Sequence, residues 1–232
     1  MVLHSLFALT LMVADDAAGL PSADEIVSKM VRRDDERRSE LQGYTSERRY
    51  VLENVKHHKQ AEMLVRTVYR KDGSKEFDVV SSRGWGGARK HVFPRLLEAE
   101  TEASRPGGRE DSRITPQNYS FRTLRASEVA GRKAYVIQVI PKEQKTYLIR
   151  GTIWVDAEDF AIVRIEGEPA KNPSFWIKRV QFEHNYEKHG AFWLAESDTS
   201  ISDVRVFGST ELRIHYFDYV VNGAAGIQAG LR

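Results

Sequence analysis

Cysteine is absent from the 232 residues of this sequence. That absence excludes disulfide bonds, thiolate zinc sites, a cysteine nucleophile and lipid attachment at an N-terminal cysteine. The formal net charge is small, at +2, so the composition gives no indication of a polyanionic partner such as nucleic acid. After residue 19 no apolar run approaches the length of a transmembrane helix. With 41% hydrophobic and 29% charged residues, the balance is that of a soluble globular domain.

The first 19 residues have the pattern of a secretion signal. Residues 3–13 form an apolar run that is too short to span a bilayer, and the small residues Ala17, Ala18 and Gly19 follow it. The Lys or Arg that usually precedes such a run is missing, so a buried first strand or helix is the alternative. We predict a signal peptide over residues 1–19 and an exported product.

The rest of the chain shows two kinds of periodicity. Ser22 and Glu25 have capping-box spacing, and apolar residues then recur at helical intervals, so a helix is predicted over residues 22–41. From residue 44 onwards apolar and polar residues alternate, in about ten segments separated by turn residues. The clearest pair spans residues 147–168, where two arms of period two flank an acidic turn. A hairpin with one apolar face belongs to a larger antiparallel sheet.

An insertion interrupts this series of strands. A glycine-rich segment around Trp85 removes local rigidity, and a short helix over residues 94–103 follows it with Leu96 and Leu97 on one side. Because the insertion is apolar on one side and preceded by glycines, we predict that it forms a lid.

No residue pattern supports catalysis or metal binding. A Gly-x-Ser-x-Gly motif is absent, and the acidic turn of the hairpin is predicted to be solvated. His57 and His58 are adjacent and flanked by lysines, which favours a solvated turn over a metal site. His184, His189 and His215 fall on late strands, where half-buried strand positions are a simpler interpretation than a shared site. The mixed charges of the first helix are typical of a solvated face. We therefore predict no catalytic residue, metal or cofactor.

Apolar side chains on one face of the sheet form the largest candidate site. A ten-stranded sheet offers more apolar area than one helix and a short second helix cover, so the sheet either closes on itself or leaves a hollow. A hollow of this composition holds apolar ligands, whereas the competing interpretation is an ordinary core beneath the first helix. The residues predicted to line the cavity are Met63, Val65, Tyr69, Tyr135, Ile137, Ile149, Ile153, Val163, Ile165, Trp176, Phe182, Leu212 and Ile214.

The hairpin also carries a family resemblance. It consists of Gly151-Thr152-Ile153-Trp154-Val155-Asp156, a turn, and Ile162-Val163-Arg164-Ile165-Glu166-Gly167. These two runs resemble the central hairpin of periplasmic outer-membrane lipoprotein-sorting proteins, relatives of the LolA and LolB carriers. The likeness extends from about residue 25 to residue 222 as a pattern of strands.

Alternation and resemblance predict the same fold class. It is mainly β: a single curved antiparallel sheet that forms a half-open β-barrel over residues 20–222, with both helices on its concave side and a flexible tail at 223–232. The resemblance implies a monomeric, non-enzymatic carrier in the periplasm. Such a carrier binds acyl chains of lipoproteins or other lipids, transfers them towards the outer membrane, and does so without stable membrane insertion.

The resemblance also implies how the lid is held. In the better-studied carriers an arginine on an early strand ties the lid helices shut, and Arg70 is the nearest match here. The predicted lid residues are thus Arg70, Trp85, Leu96 and Leu97. Two other functions stay open: a sensing or protein-binding module of the cell envelope, like the first domain of periplasmic anti-sigma regulators, and a hydrolase with a hidden site.

Overall fold

The structure, a computed structural model, describes residues 19–104, 110–172, 177–205 and 208–223. The predicted signal peptide and tail lie outside the described residues, apart from Gly19 and Gly223, and so does Trp176. In the described part of the chain, no helix has both the length and the apolar character needed to cross a membrane.

Helix α1 (Ala23–Glu40) begins after Ser22, whose hydroxyl oxygen accepts a hydrogen bond from the Glu25 backbone N–H at 3.2 Å. The hydrogen bond from the Glu25 N–H to the Ser22 hydroxyl, which the capping-box spacing predicts, is therefore present. Helix α2 (Phe93–Ala103) follows a π-helical turn at Ala88–Val92. The strands are β1 (Gly43–Asn54), β2 (Lys59–Arg70), β3 (Lys75–Gly84), β4 (Tyr119–Val129), β5 (Arg132–Pro141), β6 (Ile149–Asp156), β7 (Ile162–Pro169), β8 (Ile177–His189), β9 (Phe192–Val204) and β10 (Gly208–Val221).

The strands form one antiparallel sheet in the order β3-β2-β1-β10-β9-β8-β7-β6-β5-β4. Successive strands lie side by side, with the exception of β3 and β4, and β1 pairs with β10 to join the first meander to the rest of the sheet. Strands β3 and β4 are the two edges of the sheet, which is an open barrel. The predicted fold class, a ten-stranded open antiparallel sheet with an N-terminal helix and a short second helix, is confirmed.

Two apolar cores lie on the face of the sheet that carries the helices, here called the inner face. The α1 core joins Ile26, Val27 and Met30 of α1 to inner side chains of strands β4 to β8. The α2 core joins Phe93 of α2 to inner side chains of β1, β2, β3 and β10. Each helix therefore covers one end of the sheet.

A β-bulge places one side chain of the central hairpin on the opposite face of the sheet from the one that alternation predicts. Ile153 pairs with Ile165 on the inner face, but the register shifts before Val155, which pairs with Ile162. Val163 is the extra residue, and it packs on the outer face with Trp154 and other apolar side chains. The alternation rule places Val163 beside Ile165, and the bulge is the reason that it lies on the opposite face.

Asp156 forms an ion pair with Arg132 at the end of the β6–β7 hairpin. Its carboxylate is 1% exposed and accepts hydrogen bonds from Arg132 Nε at 2.6 Å and Nη2 at 2.9 Å. It also accepts from the backbone N–H groups of Glu158 and Asp159 at 3.0 and 2.7 Å. Burial raises the pKa of Asp156, but Arg132 and the two N–H groups lower it by more, so the pKa lies below its ordinary value of 3.8. The sequence predicted a solvated acidic turn, whereas Arg132 and the turn backbone enclose Asp156.

An Asp156→Asn variant tests this ion pair through the pH dependence of stability. Because the pKa of Asp156 is lowered in the folded state, its charge stabilises the protein above the ordinary pKa, and this contribution is lost as the pH falls through the folded pKa. Between about pH 6 and about pH 3, we expect the free energy of unfolding to fall more in the wild type than in Asp156→Asn. Urea unfolding at both pH values measures the difference, and parallel losses would contradict the assignment.

Candidate functional site

The middle of the inner face is less covered than the two cores that lie on either side of it. Inner side chains of β5 and β6, such as Ile137 and Ile153, are buried beneath α1, and those of β2, such as Met63 and Val65, are buried beneath α2. In contrast, the inner side chains of β8 and β9 are only half-buried: Val180, Phe182, His184, Asp198, Ser200 and Ser202. The two helices thus leave a partly open strip between the two cores.

The predicted cavity residues divide between the two cores. Those in or against the α1 core are Tyr135, Ile137, Ile149, Ile153, Ile165 and Phe182. Those in or against the α2 core are Met63, Val65, Leu212 and Ile214. Tyr69 stacks on Tyr44 with ring centroids 4.9 Å apart, and Val163 lies on the outer face. The structure therefore brings most of the predicted residues onto one face, in two groups that flank the open strip.

Three of the four predicted lid residues lie together. Trp85, Leu96 and Leu97 all pack against the α2 core. Arg70 instead pairs with Glu76 on the neighbouring strand, with 2.6 Å between Nη1 and Oε1. The arginine that contacts α2 is a different residue.

Arg48 of β1 joins the sheet to α2. Its side chain is 2% exposed, and its Nη1 donates to Glu100 Oε2 of α2 at 2.6 Å. The hydroxyl of Tyr50, also on β1, donates to Glu100 Oε1 at 2.9 Å. Burial by itself lowers the pKa of Arg48, but Glu100 and nearby tyrosines raise it by more, so the guanidinium stays charged. One carboxylate on α2 is therefore held by two buried donors on the sheet.

The sequence contains a signal for Arg48 that the strand prediction did not use. Ser46, Arg48, Tyr50 and Leu52 alternate along β1 and all are buried. An arginine in phase with Tyr50 and Leu52 is inside the protein, and a buried guanidinium needs an acidic partner. Which carboxylate it meets depends on where α2 docks, and β1 carries no information about that.

A row of polar side chains extends from Arg48 into the open strip. The Arg48 guanidinium carbon lies 4.8 Å from the ring centroid of Tyr216, whose hydroxyl donates to Asp198 Oδ2 at 2.5 Å. Asp198 Oδ1 lies 2.6 Å from His184 Nδ1. Burial and Asp198 raise the pKa of Tyr216 well above its ordinary value of 10, so the phenol remains a donor.

His189 and His215 do not join this row. His189 packs on the ring of Tyr219, and His215 stacks on Phe217. Among the described residues, no group of three or more His, Asp or Glu side chains is arranged to hold a metal ion.

A second hollow adjoins the α1 core. It has a volume of about 330 Å³ and lies between the second half of α1 and strands β7 and β8. Its wall is apolar at Met30, Ile162 and Ile165, and its rim carries Arg37 and Arg113. The inner face therefore offers an apolar wall with a charged rim beside α1.

The segment that leads into α2 contains a glycine that the backbone requires. Gly84 has φ +84°, and a Cβ at this position would lie 2.4 Å from the backbone oxygen of Gln60. This glycine ends β3 and starts the connection to α2 through Trp85. The position of the lid segment relative to the sheet thus depends on a backbone conformation that residues other than glycine rarely adopt.

A family of known sequences matches the C-terminal half of the chain. Residues 113–222, which span β4 to β10, match a family described as a family of unknown function (DUF5686). Curated proteins include no match to the chain.

Solved structures show likeness at low identity. An outer membrane lipoprotein-sorting protein domain from Vibrio parahaemolyticus has a TM-score of 0.48 and 12% identity, over 87% of this chain and 93% of that one. A DUF1329 family protein from Desulfovibrio piger has a TM-score of 0.45 and 13% identity, over 87% and 94%. A LolA superfamily protein from Nitrosomonas europaea has a TM-score of 0.45 and 10% identity, over 88% and 95%. A lipoprotein-sorting protein domain and a LolA superfamily protein are thus among the structures that this chain is similar to, as predicted, and the likeness concerns the fold alone.

Proposed function

We propose that the protein is a non-enzymatic periplasmic carrier that binds acyl chains of lipoproteins or other lipids on its inner face. The observation that supports this function is the half-buried strip on β8 and β9 between two apolar cores, each covered by a separate helix. A face that only served as a core would be covered throughout. An acyl chain laid in the strip would contact Val180, Phe182 and the apolar side chains of the two cores on either side of it.

The driving force is removal of the acyl chain from water. Each buried CH₂ group contributes about 0.8 kcal/mol, so a chain of ten such groups supplies about 8 kcal/mol before the cost of ordering it. Part of this free energy is available to displace α2, which inserts a single fully buried side chain, Phe93, into its core. Displacement of α2 would also expose the inner apolar side chains of β1 and β2 to the guest. Release would follow when a partner protein restores the closed arrangement.

Lipid extraction and uptake measurements test this function. The protein purified from the cell envelope is expected to yield lipid on extraction and mass spectrometry, and to take up a fluorescent fatty acid. An empty protein that does not take up the probe contradicts the proposal. Recovery of a stoichiometric protein partner without lipid would favour the sensing or protein-binding module instead.

A tryptophan placed in the strip gives a second test. Ser200 lies on the inner face of β9 between Phe182 of β8 and Leu212 of β10. We expect Ser200→Trp to weaken fatty-acid binding at least about tenfold, because the indole occupies space that two or more CH₂ groups would fill. The control is Asp203→Trp, whose side chain lies on the outer face of the same strand and away from the outer hollow that Thr199 lines. Equal binding by the two variants, measured by fluorescence titration, would place the acyl chain elsewhere.

A further inference from the structure

Three buried polar atoms beneath α2 have no hydrogen-bond partner. They are the hydroxyl oxygens of Ser46 and Thr67 and Nε of Arg48. Their side chains are almost completely inaccessible, at 1%, 0% and 2% exposure. Buried polar groups are nearly always paired, and an unpaired one costs about 1–3 kcal/mol. These three atoms lie in neighbouring side chains, so one ligand could pair with all of them.

The three side chains are neighbours on the inner face. Ser46 and Thr67 are directly paired across β1 and β2, which brings their Cβ atoms to about 5 Å from each other. Arg48 is two residues further along β1 and therefore points to the same face. Its guanidinium lies between the rings of Phe77 and Tyr216, at 5.4 and 4.8 Å from their centroids. The three side chains thus form one cluster, which α2 contacts through Glu100.

These groups share a chemical preference. Arg48 Nε can only donate a hydrogen bond, and the hydroxyls of Ser46 and Thr67 are free to donate as well. A site with several unused donors beside a fixed positive charge favours an acceptor that is itself negative, such as a carboxylate or phosphate. Lys75 adds a second cation, with its Nζ 3.8 Å from Glu100 Oε2.

Glu100 is an oxyanion supplied by the protein itself. Its carboxylate occupies one side of the Arg48 guanidinium, while Nε remains unused. Because Glu100 belongs to α2 and is 25% exposed, it leaves Arg48 whenever α2 moves away from the sheet. The cluster would then keep Arg48 and the two hydroxyls, with Lys75 beside it. It would lack the Glu100 carboxylate that both cations face.

We propose that Ser46, Arg48 and Thr67 form a subsite for the oxyanion of an amphiphilic ligand, a carboxylate or phosphate, which takes the place of Glu100. The inference rests on the proposed function, since it assigns the polar end of a ligand whose acyl chain occupies the inner face. When the head group binds, its oxyanion replaces the Glu100 carboxylate on Arg48. The same exchange releases α2 from the sheet.

The test compares amphiphiles of one chain length with different head groups. Dodecyl phosphate and dodecanol are titrated by calorimetry against Glu100→Gln and against the double variant Arg48→Gln, Glu100→Gln. Both variants lack the Arg48–Glu100 ion pair, so release of α2 is matched between them. In Glu100→Gln we expect dodecyl phosphate to bind at least about tenfold more tightly than dodecanol. In the double variant we expect most of this preference to be lost, with Lys75 as the remaining cation.

Inorganic phosphate distinguishes a lipid head group from a free anion. If phosphate alone binds Glu100→Gln and not the double variant while dodecanol binds neither, the anion subsite is supported and the carrier function is contradicted. If both amphiphiles bind with the same ratio in both variants, the subsite is overturned and the carrier function stands. Failure of all three probes to bind overturns the subsite as well.

A milder substitution tests the same subsite if the Arg48 or Glu100 variants fail to fold. Thr67→Val keeps the shape of the side chain and the Arg48–Glu100 pair, and it removes a buried hydroxyl that has no partner. We expect its thermal stability to be equal to that of the wild type or higher, and the ratio of dodecyl phosphate to dodecanol affinity to fall about threefold. An unchanged ratio in a folded Thr67→Val protein contradicts the role of the hydroxyl.

Discussion

Replacing Arg48 with leucine is expected to detach α2 from the sheet while the α1 core stays folded. The substitution removes the charged donor to Glu100 and leaves its carboxylate with the Tyr50 hydroxyl and, at 3.8 Å, Lys75 Nζ. Removal of one partner of a buried ion pair costs about 3–5 kcal/mol. Because Glu100 is 25% exposed and regains water when α2 moves, we expect the lower end of that range. A loss of about 3 kcal/mol corresponds to roughly 100-fold faster hydrogen exchange in α2.

Hydrogen exchange measured by mass spectrometry resolves the effect by segment. Peptides from α2 are expected to exchange faster in Arg48→Leu, and peptides from β5 and β6 are expected to keep their protection. The matched control is Arg70→Leu, which breaks a surface pair with Glu76 and is expected to change stability by no more than about 1 kcal/mol. If Arg70→Leu also deprotects α2, or if Arg48→Leu does not, then Arg48 is not the residue that holds the lid.

The contrast between these two arginines shows what the sequence could predict. Period-two alternation predicted the strands because one face of each is buried, and the capping box predicted the start of α1. These signals are local. The partner of Arg48 lies 52 residues away on a helix whose docking depends on the whole inner face. Arg70 is the nearest match in position to the lid arginine of the resembling family. Its partner is Glu76, six residues away on the neighbouring strand.

Val163 and Asp156 show a second limit of the same kind. Alternation assumes a regular register, and the bulge between β6 and β7 breaks that register at Val163. The acidic turn was correctly placed at the hairpin tip, but burial of Asp156 comes from Arg132 on β5, a contact that pairing of β5 with β6 creates. Features fixed by contacts between strands are therefore absent from the pattern of any one strand.

The largest loss of stability is expected from a side chain at Gly151. This glycine is paired with Gly167 across β6 and β7, and a Cβ on Gly151 would lie 1.9 Å from the backbone oxygen of Glu166 and 2.7 Å from Cα of Gly167. Neither atom belongs to a flexible side chain, so the strands themselves must separate. They cannot do so freely, because Ile153 and Ile165 of the same hairpin are buried in the α1 core. Overpacking usually costs about 1–3 kcal/mol, and we expect Gly151→Ala to exceed that range because the obstacle is backbone.

The measurement is urea unfolding, with Gly86→Ala as the matched control. A Cβ on Gly86 meets no atom within 4 Å, so this substitution is expected to change the free energy of unfolding by less than about 1 kcal/mol. Gly151→Ala is expected to lose at least about 3 kcal/mol, or to fail to fold. A Gly151→Ala protein as stable as the control would show that β6 and β7 separate at this pair without loss of the α1 core. The close approach of the two strands would then not be a requirement of the fold.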